Sequence, residues 1–247
     1  MHIYLLKVKL FINITANPCV LLNYIRFDHQ YDVVRLKEEL AMCFQAEWSD
    51  HFNQNDYTGC WQSISLRSAS GKESDIYASY GISSYQDTKL LTNLTYIKEI
   101  IGYWQCEKES IRLLALHPGS EIKPHRDLGC NYQDGNFRLH IPIQTNNQVI
   151  FKVDEENLSL KEGSCWYVDF NKTHSIKNDG TEVRIHLVID ALRNKWTDEE
   201  FSKNGYDLSE ASENKHDDAV NLQIIAELER MDSDVARQLI KQLQTGR

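Results

Sequence analysis

The chain has 247 residues, 41% apolar and 26% charged, with a formal charge of −9 and a pI of about 5.5. A chain this long buries roughly 70–75% of its unfolded surface and carries a core without staples. The acidic balance and the lack of a basic stripe argue against nucleic-acid binding. Six scattered cysteines with no CxxC pair make a zinc ribbon or a disulfide framework a poor fit, so reduced thiols in a cytoplasmic protein are expected.

Residues 1–24 read as an N-terminal extension. The stretch is moderately apolar, but Lys7 and Lys9 interrupt it, and no run approaches the ~20 residues of a membrane span. A degenerate signal peptide and chain upstream of the usual start both fit. A domain opening follows at Tyr24-Ile25-Arg26-Phe27. Val33, Leu36, Leu40, Cys43 and Phe44 recur at helical spacing, which predicts an amphipathic helix over 33–48. Trp61, Ile64 and Leu66 suggest a short strand, Ser68 to Ser84 a polar loop, and Leu94, Ile97, Ile100, Ile101 and Trp104 a second helix.

From Ile111 the pattern changes to short strands, at 111–117, 121–127, 137–144, 148–153, 158–160, 164–170, 173–177 and 183–190. Turn material such as His117-Pro118-Gly119-Ser120 and Lys161-Glu162-Gly163 separates them. No helix-length crossover fits between them, so a parallel α/β sheet is disfavoured. The expectation is a mainly β fold with flanking helices: an antiparallel, cupin-like jelly roll spanning residues 25–194. Residues 195–247 read as an appendage. Within it, 209–218 is a polar linker, and two helical segments through Leu222, Ile225 and Leu228 and through Val235, Leu239 and Leu243 suggest a C-terminal helical hairpin. That hairpin docks on the sheet, on a protein partner or on a second copy.

In an extended strand, positions i and i+2 face the same way, so His125 and Asp127 point together while Arg126 points elsewhere. Alone, an H-x-D is an ordinary structural pair. His174, 47 residues after Asp127, opens a short strand that a jelly roll brings alongside, and two imidazoles with one carboxylate make the facial triad of non-haem Fe(II) oxygenases. In the strand 183–190, Val183, Ile185, Leu187 and Ile189 form one apolar face, which turns Arg184 and His186 toward the barrel interior. A buried arginine there calls for an anion, and its planar fork suits a carboxylate. Arg138 and His140 share a strand face by the same argument and are suited to a second carboxylate, on cosubstrate or substrate; a structural arginine and a core histidine fit as well. Trp166, Tyr167, Asp169 and Asp190 are expected to be structural. His2, His29, His51 and His216 have no partner pattern and are expected to face solvent.

Three stretches, Leu116-His117-Pro118-Gly119-Ser120-Glu121-Ile122-Lys123-Pro124-His125-Arg126-Asp127, Arg138-Leu139-His140-Ile141-Pro142-Ile143 and Gly163-Ser164-Cys165-Trp166, together with His174 and the strand from Arg184 to Asp190, resemble the aspartyl/asparaginyl β-hydroxylase family. The resemblance runs from Ile111 to Asp190. It implies a double-stranded β-helix with Fe(II) and 2-oxoglutarate, in which His125 and His174 match the metal histidines. Arg184 matches the arginine that holds the distal carboxylate of 2-oxoglutarate, and Arg138 and His140 match a pair that contacts carboxylate near the metal. There are two departures. Animal members acting on epidermal-growth-factor-like domains lack a carboxylate where Asp127 stands, so the chain is more similar to bacterial members, free-proline hydroxylases among them. Leu114 stands where those animal enzymes have a serine that helps bind the cosubstrate.

The implied activity is hydroxylation of an unactivated C–H bond in an amino acid, free or within a peptide, using O2 and releasing succinate and CO2. Asp127 favours hydroxylation over halogenation, since its loss would open a metal position to halide. The competing readings are a cupin module that binds a ligand or serves as a scaffold without turnover, and a dioxygenase that needs no 2-oxoglutarate. Arg184 argues against the latter.

Overall fold

Alternation of apolar and polar positions from Lys108 to Leu192 builds two facing antiparallel sheets, and the flanking segments add helices to one of them. The computed structural model describes residues 23–78, 84–208 and 240. The N-terminal extension up to residue 22, the 209–218 linker and the C-terminal hairpin with its docking lie outside the described residues.

Among the described residues there are thirteen strands: β1 (Tyr24–Gln30), β2 (Ser49–Asp50), β3 (Tyr57–Thr58), β4 (Trp61–Ser68), β5 (Gln86–Asp87), β6 (Lys108–Leu116), β7 (Ser120–His125), β8 (Asn136–Gln144), β9 (Val149–Val153), β10 (Glu156–Leu158), β11 (Ser164–Val168), β12 (His174–Asn178) and β13 (Arg184–Leu192). The helices are α1 (Val33–Cys43), α2 (Lys89–Thr92), α3 (Thr95–Tyr103) and α4 (Lys195–Lys203). The larger sheet runs β1-β11-β8-β13-β6-β4-β2 with β5 against β4, and the smaller runs β10-β9-β12-β7-β3. From β6 onward successive strands alternate between the sheets except at the β9-β10 hairpin. The result is the expected double-stranded β-helix, a jelly roll.

Residues of the larger sheet divide by parity. Leu113, Leu139, Ile141, Ile185 and Leu187 face outward into a core closed by Leu36 and Leu40 of α1, Ile97 and Ile100 of α3 and Phe201 of α4. Leu116, Trp166 and Val168 face inward and meet Ile122, Phe151, Val153 and Ile176 of the smaller sheet. The site lies between the sheets, while the helices brace the larger one from behind.

Several boundaries differ from expectation, each for a physical reason. The helix expected to reach residue 48 ends at Cys43, where the chain doubles back and the Trp48 indole N–H donates to the Cys43 carbonyl at 3.1 Å. The second helix is broken at Asn93-Leu94 into α2 and α3. Glu39 of α1 caps α3 from outside, accepting from the Tyr96 and Ile97 amides at 2.7 and 2.9 Å, as a carboxylate at a helix N-terminus should. The strand expected at 158–160 lies at 156–158, because β9 turns into β10 at Asp154-Glu155 with Asp154 at φ +47°.

Beyond residue 194 the described chain stays packed on the larger sheet. Asn194 and Thr197 form a capping box that starts α4, Phe201 stacks on Tyr132 at 3.6 Å between ring centroids, and Phe201 and Tyr206 belong to the outer core. The first residues of the expected appendage, 195–208, therefore contribute to the outer core. Among the described residues no helix is long and apolar enough to cross a membrane.

Candidate active site

The register of β7 against β12 sets the centre of the site. His125 and His174 are antiparallel partners, so two rings far apart in sequence come within 4.2 Å, centroid to centroid. Each ring is oriented by a local bond: His125 Nδ1 lies 2.8 Å from the Lys123 carbonyl and His174 Nδ1 lies 3.0 Å from the Lys172 carbonyl. A carbonyl accepts, so each Nδ1 carries the proton and each Nε2 keeps its lone pair free for a metal.

Asp127 lies two residues beyond the end of β7, so the expected strand at 121–127 stops short of it, and strand pleat does not place its carboxylate. A pinned turn does. The Asp127 amide donates to the Phe170 carbonyl at 2.9 Å, and Arg138 Nη1 donates to Asp127 Oδ2 at 2.6 Å. Asp127 Oδ1 is left 3.6 Å from His125 Nε2. One donor atom from each of His125, Asp127 and His174 lies within 4.8 Å of the others. Burial works to raise the Asp127 carboxyl, but Arg138 and the two histidines outweigh it and hold it below its usual value, hence ionised. Arg126 turns away, donating to Thr173 Oγ1 at 3.1 Å.

Arg138 continues inward. Its Nε donates to Asp190 Oδ1 at 2.6 Å, and Asp190 Oδ2 accepts from Arg112 Nη2 at 2.7 Å. The carboxylates held by Arg138 are thus two of the chain's own, and Asp190 is structural as expected. His140, 4% exposed, has its Nδ1 3.3 Å from His186 Nδ1, while its Nε2 is buried without a partner.

Arg184 faces the interior as expected and is 2% exposed. Its Nη2 donates to His186 Nδ1 at 3.0 Å, and its Nε is buried without a partner among the described residues. Burial alone pulls the guanidinium down to about 9, with no carboxylate among the described residues opposing it. A cavity of about 540 Å3 opens at Arg184 and His186 and is also lined by Phe151, Leu158 and Leu160. A second cavity, of about 220 Å3, opens on His125, Asp127 and Arg138. Phe170 lies between the two ends of the interior, edge-on to His174 at 4.6 Å and 5.1 Å from the His140 ring.

Two histidines expected at the surface are elsewhere. His51 is 7% exposed, lies flat on Trp61 and lines the smaller cavity; His29 packs edge-on against Tyr103, 3.8 Å from Glu200. Neither placement is visible in the chain alone, since their partners come from other strands and helices.

A jelly roll that brings two imidazoles, a carboxylate and a buried arginine into its interior defines a class: double-stranded β-helix proteins with a candidate metal centre between the sheets. The profile of the aspartyl/asparaginyl β-hydroxylase family matches residues 30–194, and the chain belongs to that family. It is 26% identical over 136 residues to L-proline cis-3-hydroxylase 1 of a Streptomyces species, a match covering 53% of this chain and 47% of that protein. The chain thus spans about half the length of that relative. Among solved structures it is similar to an oxidoreductase of the 2OG-Fe(II) oxygenase family from Burkholderia pseudomallei, with TM-score 0.47 and 12% identity over 70% of this chain and 86% of that one. It is also similar to HygX from Streptomyces hygroscopicus with nickel and 2-oxoglutarate bound, with TM-score 0.47 and 6% identity over 71% and 84%.

Proposed function

We propose that the protein is an Fe(II)- and 2-oxoglutarate-dependent dioxygenase that hydroxylates an unactivated C–H bond of an amino acid, free or peptidyl, in the cytoplasm. His125, Asp127 and His174 hold the iron, and Arg184 holds the distal carboxylate of 2-oxoglutarate. His140 faces the cosubstrate carboxylate nearest the metal, while Arg138, held by Asp190 and Asp127, orients the metal-binding carboxylate. The observation that carries this reading is the convergence of three potential metal donors in the same interior as a buried guanidinium that no carboxylate among the described residues neutralises.

The residues fit both groups. Two free Nε2 lone pairs and one ionised carboxylate oxygen suit a divalent ion and leave coordination positions open. The unpartnered Arg184 Nε and His140 Nε2 are buried polar atoms awaiting a ligand. When bound, iron with 2-oxoglutarate and O2 supplies the oxidising power, releasing succinate and CO2. The protein supplies orientation and charge. Arg184 fixes the far end of the dicarboxylate, Arg138 keeps Asp127 ionised and aimed, and Phe151 and Phe170 wall the intervening space against water.

The test is succinate release from 2-oxoglutarate in the presence of Fe(II) and ascorbate, with amino acids and peptides screened by mass spectrometry for a gain of one oxygen. Succinate and an oxygenated product are expected. A protein that binds metal but forms no succinate under any substrate would instead be a non-catalytic cupin module.

A further inference from the structure

The smaller cavity has walls that the iron and 2-oxoglutarate do not use. Trp61, Arg112 and His51 line it, 7%, 3% and 7% exposed. Trp61 Nε1 and Arg112 Nε are N–H donors, buried and without a partner among the described residues. Arg112 is fixed by its other nitrogens, which donate to Asp190 Oδ2 at 2.7 Å and to the Ile76 carbonyl at 3.3 Å. His51 stacks on Trp61 with ring centroids 3.5 Å apart and an interplanar angle of 11°. Its Nδ1 accepts from the Asn53 amide at 3.4 Å, so the proton of the neutral ring sits on Nε2. Burial, followed by the charges of Arg112 and Arg138, keeps that ring neutral.

Two side chains thus bring buried N–H donors without a partner among the described residues to one small cavity, the His51 ring adds a third N–H at its wall, and none of those atoms is an acceptor. Buried donors are rarely left so. The same cavity carries one carboxylate besides Asp127: Asp56, which accepts from Asn53 Nδ2. At about 220 Å3 it is smaller than the roughly 300–1,000 Å3 of pockets for drug-sized ligands.

We propose that this cavity recognises a free α-amino acid as its zwitterion, with the carboxylate on Trp61 Nε1, Arg112 Nε and His51 Nε2 and the ammonium on Asp56. The assignment rests on the oxygenase reading and narrows it: a residue inside a peptide has an amide in place of each charge and leaves both walls unanswered.

The experiment is calorimetric titration of the Zn(II)-loaded protein with 2-oxoglutarate present, using the standard amino acids. The best binder is then compared with its carboxamide, its N-acetyl derivative and the same residue within a blocked tripeptide. The free amino acid is expected to bind, and each blocked form to bind about tenfold more weakly or worse. Trp61→Phe, which keeps the ring and deletes the N–H, is expected to weaken the amino acid by about tenfold and its carboxamide by less. Equal or tighter binding of the carboxamide or tripeptide, or no binding by any amino acid, overturns the proposal. The ligand comparison uses the wild-type chain, so a variant that misfolds does not decide it. Succinate formed by the wild-type protein without any amino acid reports separately on the oxygenase reading. If succinate forms while amino acids fail to bind, only the cavity assignment falls.

Discussion

Replacing Arg184 by methionine should make the metal-free protein more stable while abolishing its response to 2-oxoglutarate. Burial lowers the guanidinium from 12.5 to about 9, and at about 1.4 kcal/mol per pH unit the charged form is disfavoured by the order of 5 kcal/mol. Methionine removes that cost, offset by roughly 1–2 kcal/mol for the lost donor to His186 Nδ1 and by imperfect packing. Relaxation and water around a real buried charge reduce the gain further, which leaves about 1–3 kcal/mol. At roughly 2–4 °C per kcal/mol the melting temperature rises by about 2–12 °C. The wild-type protein loaded with Mn(II) should gain about 2.7 kcal/mol from 2-oxoglutarate at 100 times its Kd, and the variant close to none. Thermal unfolding with and without the ligand reads both effects. An Arg184→Met protein that melts lower than wild type and still responds fully to 2-oxoglutarate would refute the reasoning, because the arginine would then be structural.

Asp190→Asn removes the carboxylate shared by Arg112 and Arg138; with both guanidinium groups buried, a loss of about 3–5 kcal/mol is expected in urea unfolding, and a change under 1 kcal/mol would count against the network. Phe201→Ala should cost about 3–5 kcal/mol, since the ring lies in the outer core, whereas an independent appendage would leave the melting of the domain untouched. His51 is held neutral to about 3, so its stability contribution is complete above pH 6.5. Below that the unfolded chain takes up a proton that the folded chain refuses, and stability should fall by about 1.4 kcal/mol per unit from pH 6.5 toward about 3. The neutral burial of His140 and His186 acts in the same direction, and unfolding free energy that stays flat between pH 6.5 and 5 would contradict it.

The jelly roll was legible because its strands are short, alternate cleanly and are punctuated by glycine and proline turns; Gly163, at φ +76° with the Tyr31 carbonyl 2.5 Å from where a Cβ would lie, is one position such a turn requires. Strand β1 was visible only as a domain opening, because its pairing with β11 is set across more than a hundred residues. Helix α4 was missed because its signal is the Asn194/Thr197 box, which lacks the usual glutamate, and because its buried face rests largely on Phe201. At the site, the types and spacing of His125, Asp127, His174 and Arg184 carried the reading. What anchors Asp127, a turn pinned to Phe170 and an ion pair with Arg138, comes from tertiary contacts. For the same reason the roles of His51, Trp61 and Arg112 could not be read from the chain, since their atoms meet only once β2, β4 and β6 stand side by side.

The most direct test is anaerobic Fe(II) titration of the wild-type chain and of His125→Ala, Asp127→Ala and His174→Ala, each checked for folding by circular dichroism. One tightly bound ion per wild-type chain is expected, with affinity lowered by an order of magnitude or more in every variant. Undiminished one-to-one binding in any two of the folded variants would contradict the placement of the metal between these three side chains.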